Sequence, residues 1–233
     1  RLRDPKTVAI VTGQQAGLFG GPLFTLLKAL TALRLAEQTA AEHHVPTVAL
    51  FWIDAEDYDW DEVKACGVLD VELNLARIAL SDPPAAGKSS VARVRLDDSV
   101  NAAVSTLAAT LETTEFSPVL LRTVRHAYKP GMGMTEAFGT WLESLLGPRG
   151  LVVFDSSDPA AKPLVSALFA REIEHAGETS RLAAAAGAEL MAHGYHAQVT
   201  PQEDHAALFH IDSTRTNIRV MGDRLLVGKS AHT

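Results

Sequence analysis

This chain has almost no thiol chemistry. Cys66 is the sole cysteine among 233 residues, so an intrachain disulfide is impossible. That usage fits a reducing cytoplasm, the expected compartment. Nothing in "KACG" activates the thiol, and Cys66 reads as a plain small residue. No apolar run approaches the about 20 residues of a membrane span. The opening "RLRDPKT" lacks the apolar core of a signal peptide. There is no Lys/Arg block and the formal net charge is -7, which argues against a nucleic-acid partner. No H-E-x-x-H, zinc-spaced Cys/His pair or G-x-S-x-G elbow occurs. No internal repeat or long heptad run is present. The chain starts on Arg1 and stops soon after a hairpin pattern, so a piece of a longer protein is expected.

Hydrophobic residues make up 47% of the chain, which implies a sizeable core. "TVAIVT" (7–12) reads as a strand buried on both faces. A glycine-rich stretch follows, then Pro22 and an apolar-periodic helix through Leu23, Leu26, Leu27, Leu30, Leu33 and Ala36. "TVALFWI" (47–53) is a second buried strand, completing a βαβ unit. Strands are expected within 68–80 and 90–96, with "SDPPAAGKSS" as a loop between them. Helical patterns cover 99–112, 118–128 and 135–146. "GLVVFDSSDP" predicts a third buried strand, then a helix with Asp158 as N-cap and Pro159 at its first position. The Ala-rich helix ends near Gly194, and "AALFHIDSTRTNIRVMGDRLLVG" alternates as a hairpin or meander.

The expected fold class is α/β with a Rossmann-like parallel-sheet core. Residues 1–66 form its first part, 67–130 an α+β insertion, 131–194 the continuation with helices, and 195–233 an incomplete β-rich segment.

Two loops carry the chemistry. In "TGQQAGLFGG", Gly13, Gly17, Gly20 and Gly21 fall within nine residues between a strand and a helix. Such a junction can present backbone N–H groups and a positive helix end to an anion. Thr12, Gln14 and Gln15 add polar groups suited to sugar hydroxyls or carboxylates, and Lys28 lies where it can turn back toward the loop. The spacing is neither a P-loop nor G-x-G-x-x-G, so a plain tight turn remains the alternative.

The second loop, "FWIDAEDYDWDE", holds Asp54, Glu56, Asp57, Asp59, Asp61 and Glu62. Glu56, Asp57 and Asp59 are the candidate general base or amine-orienting groups, with Trp52 and Tyr58 beside them. It is not an EF-hand loop, because Glu62 and Val68 stand where Gly and Glu are needed. The other reading is a solvated acidic run at a helix start. Both loops end strands expected to be neighbours, so they should meet in one cleft. His43, His44 and "HGYH" read as helix ends, and Ser156, Ser157 and Asp158 are weaker candidates at the third strand.

"VTGQQAGLFGGPLFTLLKALTALRLA" followed by "VALFWIDAEDYDWDE" resembles the bacillithiol biosynthesis cysteine-adding enzymes, a cysteine ligase family. Later stretches agree in order: "AFGTWLESLLGPRGLVVFDSSDPAAKPL", "HGYHAQV" and "ALFHID". Two positions depart from the family pattern. Tyr58 stands at a usual His, and Asp54-Ala55 at small residues. The resemblance implies a core like those of class I aminoacyl-tRNA synthetases and nucleotidylyl transferases. It also implies that L-cysteine is joined to the amino group of glucosaminyl-malate. ATP or another activating nucleotide with Mg is expected on the same ground, with no metal ligand assigned. Family members are longer, and their coiled coil implies a homodimer for the full-length parent. A nucleotidylyl transferase and a non-catalytic sugar or nucleotide binder remain the other readings.

Overall fold

The computed structural model describes residues 1–83, 86, 87, 89–199, 201, 202, 205–211, 215–222, 224–228 and 230–232. Within the expected loop at 81–90, Pro84, Ala85 and Lys88 lie outside the described residues, as do 212–214 and 223 of the meander. The chain divides into two units, Arg1–Ser157 and Asp158–Thr233. No helix among the described residues is long and apolar enough to cross a membrane.

The first unit is built on a parallel sheet. β1 (Val8–Gln15), α1 (Phe24–His43) and β2 (Thr47–Asp54) form the expected βαβ unit, and β5 (Leu151–Asp155) pairs with β2 to give the order β1-β2-β5. β2 is central. Thr47, Ala49, Phe51 and Ile53 are buried on one face, with the Phe51 ring 5.9 Å from Phe138. That ring belongs to α5 (Met134–Leu146). β1 is not buried on both faces as expected. Among the described residues it pairs with β2 alone, and Val11 stays 57% exposed. It also runs three residues past Thr12, so Gly13, Gln14 and Gln15 belong to the strand.

α1 buries a different stripe from the one its leucines suggest. Thr25, Ala29, Ala32, Leu33 and Ala36 face inward, while Leu23, Leu27 and Leu30 are exposed. The helix is apolar on two sides, so periodicity could not choose between them. The small side chains win because they let the helix axis lie close to the sheet.

Between β2 and α5 lie α2 (Trp60–Val63), a hairpin of β3 (Ala65–Leu69) and β4 (Leu75–Ala79), then α3 (Ser99–Thr110) and α4 (Ser117–Ala127). The strand expected over 90–96 is instead a 3-10 turn at Val91–Arg93. Its amides at Val91 and Ala92 bind the Asp57 and Ala55 carbonyls (2.8 and 2.9 Å), not a neighbouring ladder. Arg95 makes an isolated bridge to Gly133, flanked by the Leu96 N–H donating to the Met132 carbonyl (2.9 Å) and the Met134 N–H to the Val94 carbonyl (3.0 Å).

In the second unit, α6 (Ser166–Glu174) and α7 (Glu178–Ala192) precede an antiparallel meander of β6 (His205–Ile211), β7 (Arg215–Met221), β8 (Arg224–Val227) and β9 (Ser230–His232). The Glu172 carboxylate accepts from the Ala207 N–H (2.7 Å) and the Thr179 hydroxyl (2.8 Å), tying α6 to β6 and α7. Asp158 does not cap a helix. Its carboxylate accepts from the Ala160 N–H (2.9 Å) in a local turn, and α6 starts only after a 3-10 turn at Lys162–Val165. An aspartate two residues before a free amide makes that turn as readily as a helix cap.

Candidate functional site

Parallel pairing sets the carboxyl ends of β1 and β2 side by side: Gly13 opposite Trp52, Gln14 opposite Ile53, and Gln15 opposite Asp54. Gly13, Gln14, Gln15, Trp52 and Asp54 line a shallow depression of about 340 Å³. Only glycine fits at position 13, because a Cβ there would stand 2.5 Å from the Trp52 carbonyl oxygen. The Trp52 ring is half-exposed and packs on Phe154 at 4.8 Å.

Lys28 reaches back from α1. Its ammonium donates to the Gly13 carbonyl (3.0 Å) and to Gln14 Oε1 (2.9 Å), and stands 5.3 Å from the Phe24 ring centroid. With its oxygen held this way, Gln14 turns its NH₂ elsewhere as a donor. Gln15 crosses to the acidic loop. Its Nε2 donates to Asp57 Oδ2 and to Glu62 Oε2, the latter at 3.0 Å. The other Asp57 oxygen accepts from the Tyr58 N–H (2.7 Å). One amide thus gathers two carboxylates at the strand ends.

The remaining acidic residues separate from this group. Asp59 caps α2 through the Glu62 N–H (3.0 Å). Trp60 is buried, and its indole N–H donates to Asp82 (2.9 Å). Lys64 bridges Asp61 (2.6 Å) and Asp82 (2.8 Å). The hydrogen bonds that Lys64 donates to those two carboxylates raise its pKa, and the Lys64 bond holds Asp82 below the usual carboxylate range. Tyr58 and Asp59 line a second depression, of about 430 Å³, beside Asp82. Glu56 is partly buried at the start of the loop. At the end of β5, the buried Ser156 accepts from the Ala55 N–H (3.1 Å), which fixes the base of the acidic loop.

The later glycines face inward. Gly17, Gly20 and Gly21 form a turn whose amides bind Gln15 O (3.0 Å), Gly17 O (3.1 Å) and Leu18 O (2.9 Å) in that order. Ala16 and Leu18 are fully buried. A Cβ at Gly20 would meet the Trp141 ring at 2.3 Å, and one at Gly17 would meet the Gly21 Cα at 2.6 Å. Close packing accounts for Gly17 and Gly20, and a φ of 67° for Gly21. Thr12 sits opposite Phe51 and lines a separate groove with Phe24 and Leu27.

Among the described residues, no group of three or more His, Cys, Asp or Glu side chains is arranged to hold a metal ion. Burial pushes the Cys66 thiol up to about 11. Glu62 and Asp54 were legible only as members of an acidic run. Tyr128, whose hydroxyl binds Gly17 and Gly20, gives no signal in the sequence.

This geometry defines a Rossmann-like α/β domain with a polar site at the carboxyl ends of adjacent parallel strands. The family described as "Bacillithiol biosynthesis BshC, N-terminal Rossmann-like domain" matches residues 1–231, and the chain belongs to it. Three relatives named "Putative cysteine ligase BshC" illustrate the similarity. The Salinibacter ruber protein is 38% identical over 200 residues, 85% of this chain and 36% of that protein. The Koribacter versatilis protein is 32% identical over 97% of this chain and 41% of its own length. The Bacillus velezensis protein is 31% identical over 90% and 39%. The chain therefore spans about two-fifths of the length of these curated relatives.

Proposed function

We propose that this chain is the part of a bacillithiol-pathway cysteine ligase that holds the amine substrate. In the whole enzyme, L-cysteine would be joined to the amino group of glucosaminyl-malate. The observation that carries this reading is the Gln15 side chain binding both Asp57 and Glu62 at the strand ends. Amide formation requires a neutral, oriented amine. A carboxylate next to the amine first attracts the ammonium form, then accepts its proton as attack begins. Asp57 is the assigned acceptor. The Gln14 NH₂, oriented by the Lys28 ammonium on its oxygen, supplies donors for sugar hydroxyls and malate carboxylates.

The carboxylate of cysteine must be activated, and the family resemblance suggests a nucleotide with Mg. A triphosphate needs several convergent N–H donors or cations. The amides of Gly17, Gly20 and Gly21 are already bonded within their own turn, and Lys28 is committed to Gly13 and Gln14. The described residues do not fit such a group. Cytoplasmic location and homodimerisation of the parent belong to the same proposal.

Calorimetric titration with glucosaminyl-malate tests the reading, on this chain and on the full-length parent. Saturable binding is expected, reduced at least about 10-fold by Gln14→Ala with Gln15→Ala, since each lost charge-assisted bond is worth roughly 1.5–3 kcal/mol. In the parent, Asp57→Asn should weaken binding by loss of the attraction to the ammonium and should lose product formation. Full turnover by that variant would remove Asp57 from the role. Binding without any turnover by the intact parent would favour a non-catalytic sugar-binding relative.

A further inference from the structure

We propose that Tyr128 is a positioning residue for the strand-end site, holding through its hydroxyl the turn that places Gln15. This rests on the reading of Gln15 given above.

Tyr128 follows α4 directly and is buried. Its hydroxyl donates to the Gly17 carbonyl (3.1 Å) and accepts from the Gly20 N–H (3.3 Å), so it grips both sides of the turn. Gly17 in turn donates its N–H to the Gln15 carbonyl (3.0 Å). The turn does not hold its shape unaided. Phe19 has φ 52° and ψ 29°, the left-handed region, where a side chain other than glycine is strained. The Tyr128 ring packs edge-on against the Phe19 ring, with centroids 5.1 Å apart. The segment between β2 and α5 therefore braces both loops. Tyr128 fixes the glycine turn, and the amides of Val91 and Ala92 fix the backbone of the acidic loop at Asp57 and Ala55. The two partners of the Gln15–Asp57 hydrogen bond are aligned from the same segment. Burial also raises the Tyr128 pKa, so the hydroxyl keeps its proton through the neutral range.

The test uses ¹⁵N-labelled protein and reads two signals, hydrogen exchange at the Gly20 amide and the position of the Gln15 side-chain NH₂ resonances. Tyr128→Phe removes only the hydroxyl. Gly20 exchange should rise about 3- to 10-fold relative to the amides of β2, matching one lost hydrogen bond, and the Gln15 resonances should shift. Val104→Ala, a buried change on α3 that removes no hydroxyl, should leave both signals in place despite its cost in stability. Gly20 exchange that only follows global stability, or unmoved Gln15 resonances, would overturn the proposal.

Phe19→Gly keeps the hydroxyl and lifts the strain, so Gly20 protection should persist. Its loss there would put the hold in the ring packing and also overturn the proposal. This variant can overturn the proposal even if Tyr128→Phe fails to fold. Where the wild type binds glucosaminyl-malate, Tyr128→Phe should weaken affinity about 3- to 10-fold. Unchanged affinity alongside shifted Gln15 resonances would refute a positioning role. A wild type that does not bind defeats the amine-site reading, while the resonance measurements still decide on Tyr128.

Discussion

Gln15 and Cys66 show how far environment redirects a side chain. Gln15 is a strand-end amide that spends its two N–H bonds on two carboxylates, which gives those acids a shared neutral partner. Cys66 has no such partner. It lies partly buried in β3, and desolvation disfavours its thiolate, pushing its pKa up to about 11. Since the thiolate is the reactive species, alkylation of the folded protein by iodoacetamide at pH 8 should run about 100-fold slower than for a free thiol. The rate should climb about tenfold per pH unit up to pH 10. Fast labelling at pH 8 would instead indicate an activated cysteine. The expectation that Cys66 is a plain residue accords with this burial.

α1 carries two apolar faces, and only packing tells them apart. Its inner stripe of Ala29, Ala32 and Ala36 lies against the sheet, while Leu27 is 55% exposed. Ala32→Leu should therefore cost about 1–3 kcal/mol by overpacking. Leu27→Gln should change stability by no more than about 0.5 kcal/mol, as surface substitutions do. Urea midpoints of the two variants check this. The reverse order of costs would mean that the leucine face is covered in solution. α2 corrects a reading at the residue level: Asp59, a candidate base in the acidic run, precedes a short helix and caps it.

Across the whole molecule, ionisation sets the acid limit. Backbone N–H bonds from Asn74 lower the Asp70 pKa, the Lys64 ammonium lowers that of Asp82, and the Ser99 hydroxyl lowers that of Asp97. Each carboxylate then contributes stability that is complete above its unfolded value, about 3.9, and is lost as pH falls through the folded value. Lys64 has the opposite sign. Its raised pKa contributes below about 10.4 and is lost as pH rises through the folded value. The carboxylates are largely screened by solvent, so each effect is small. The urea midpoint should stay flat from about pH 5 to 9 and decline below about pH 4. A decline that begins between pH 7 and 5 would show that other groups govern the limit.

The sequence by itself determined the order of strands and helices in the core, because β-branched runs, turn residues and helical periodicity act over a few neighbouring positions. It also brought the glutamine pair and the acidic loop to adjacent strand ends, since a βαβ unit leaves little choice of topology. Tertiary structure decided the rest. It assigned Gly17 and Gly20 to packing by placing the Gly21 backbone and Trp141 where a Cβ would go, and Gly21 to a turn with φ 67°. It turned the expected strand at 90–96 into a brace, because the open carbonyls of Ala55 and Asp57 lay within reach of its amides. It chose the alanine face of α1, and it joined Tyr128 to a turn 108 residues away from it in sequence. Contacts over such separations depend on how finished elements fit together, and no local pattern encodes that fit.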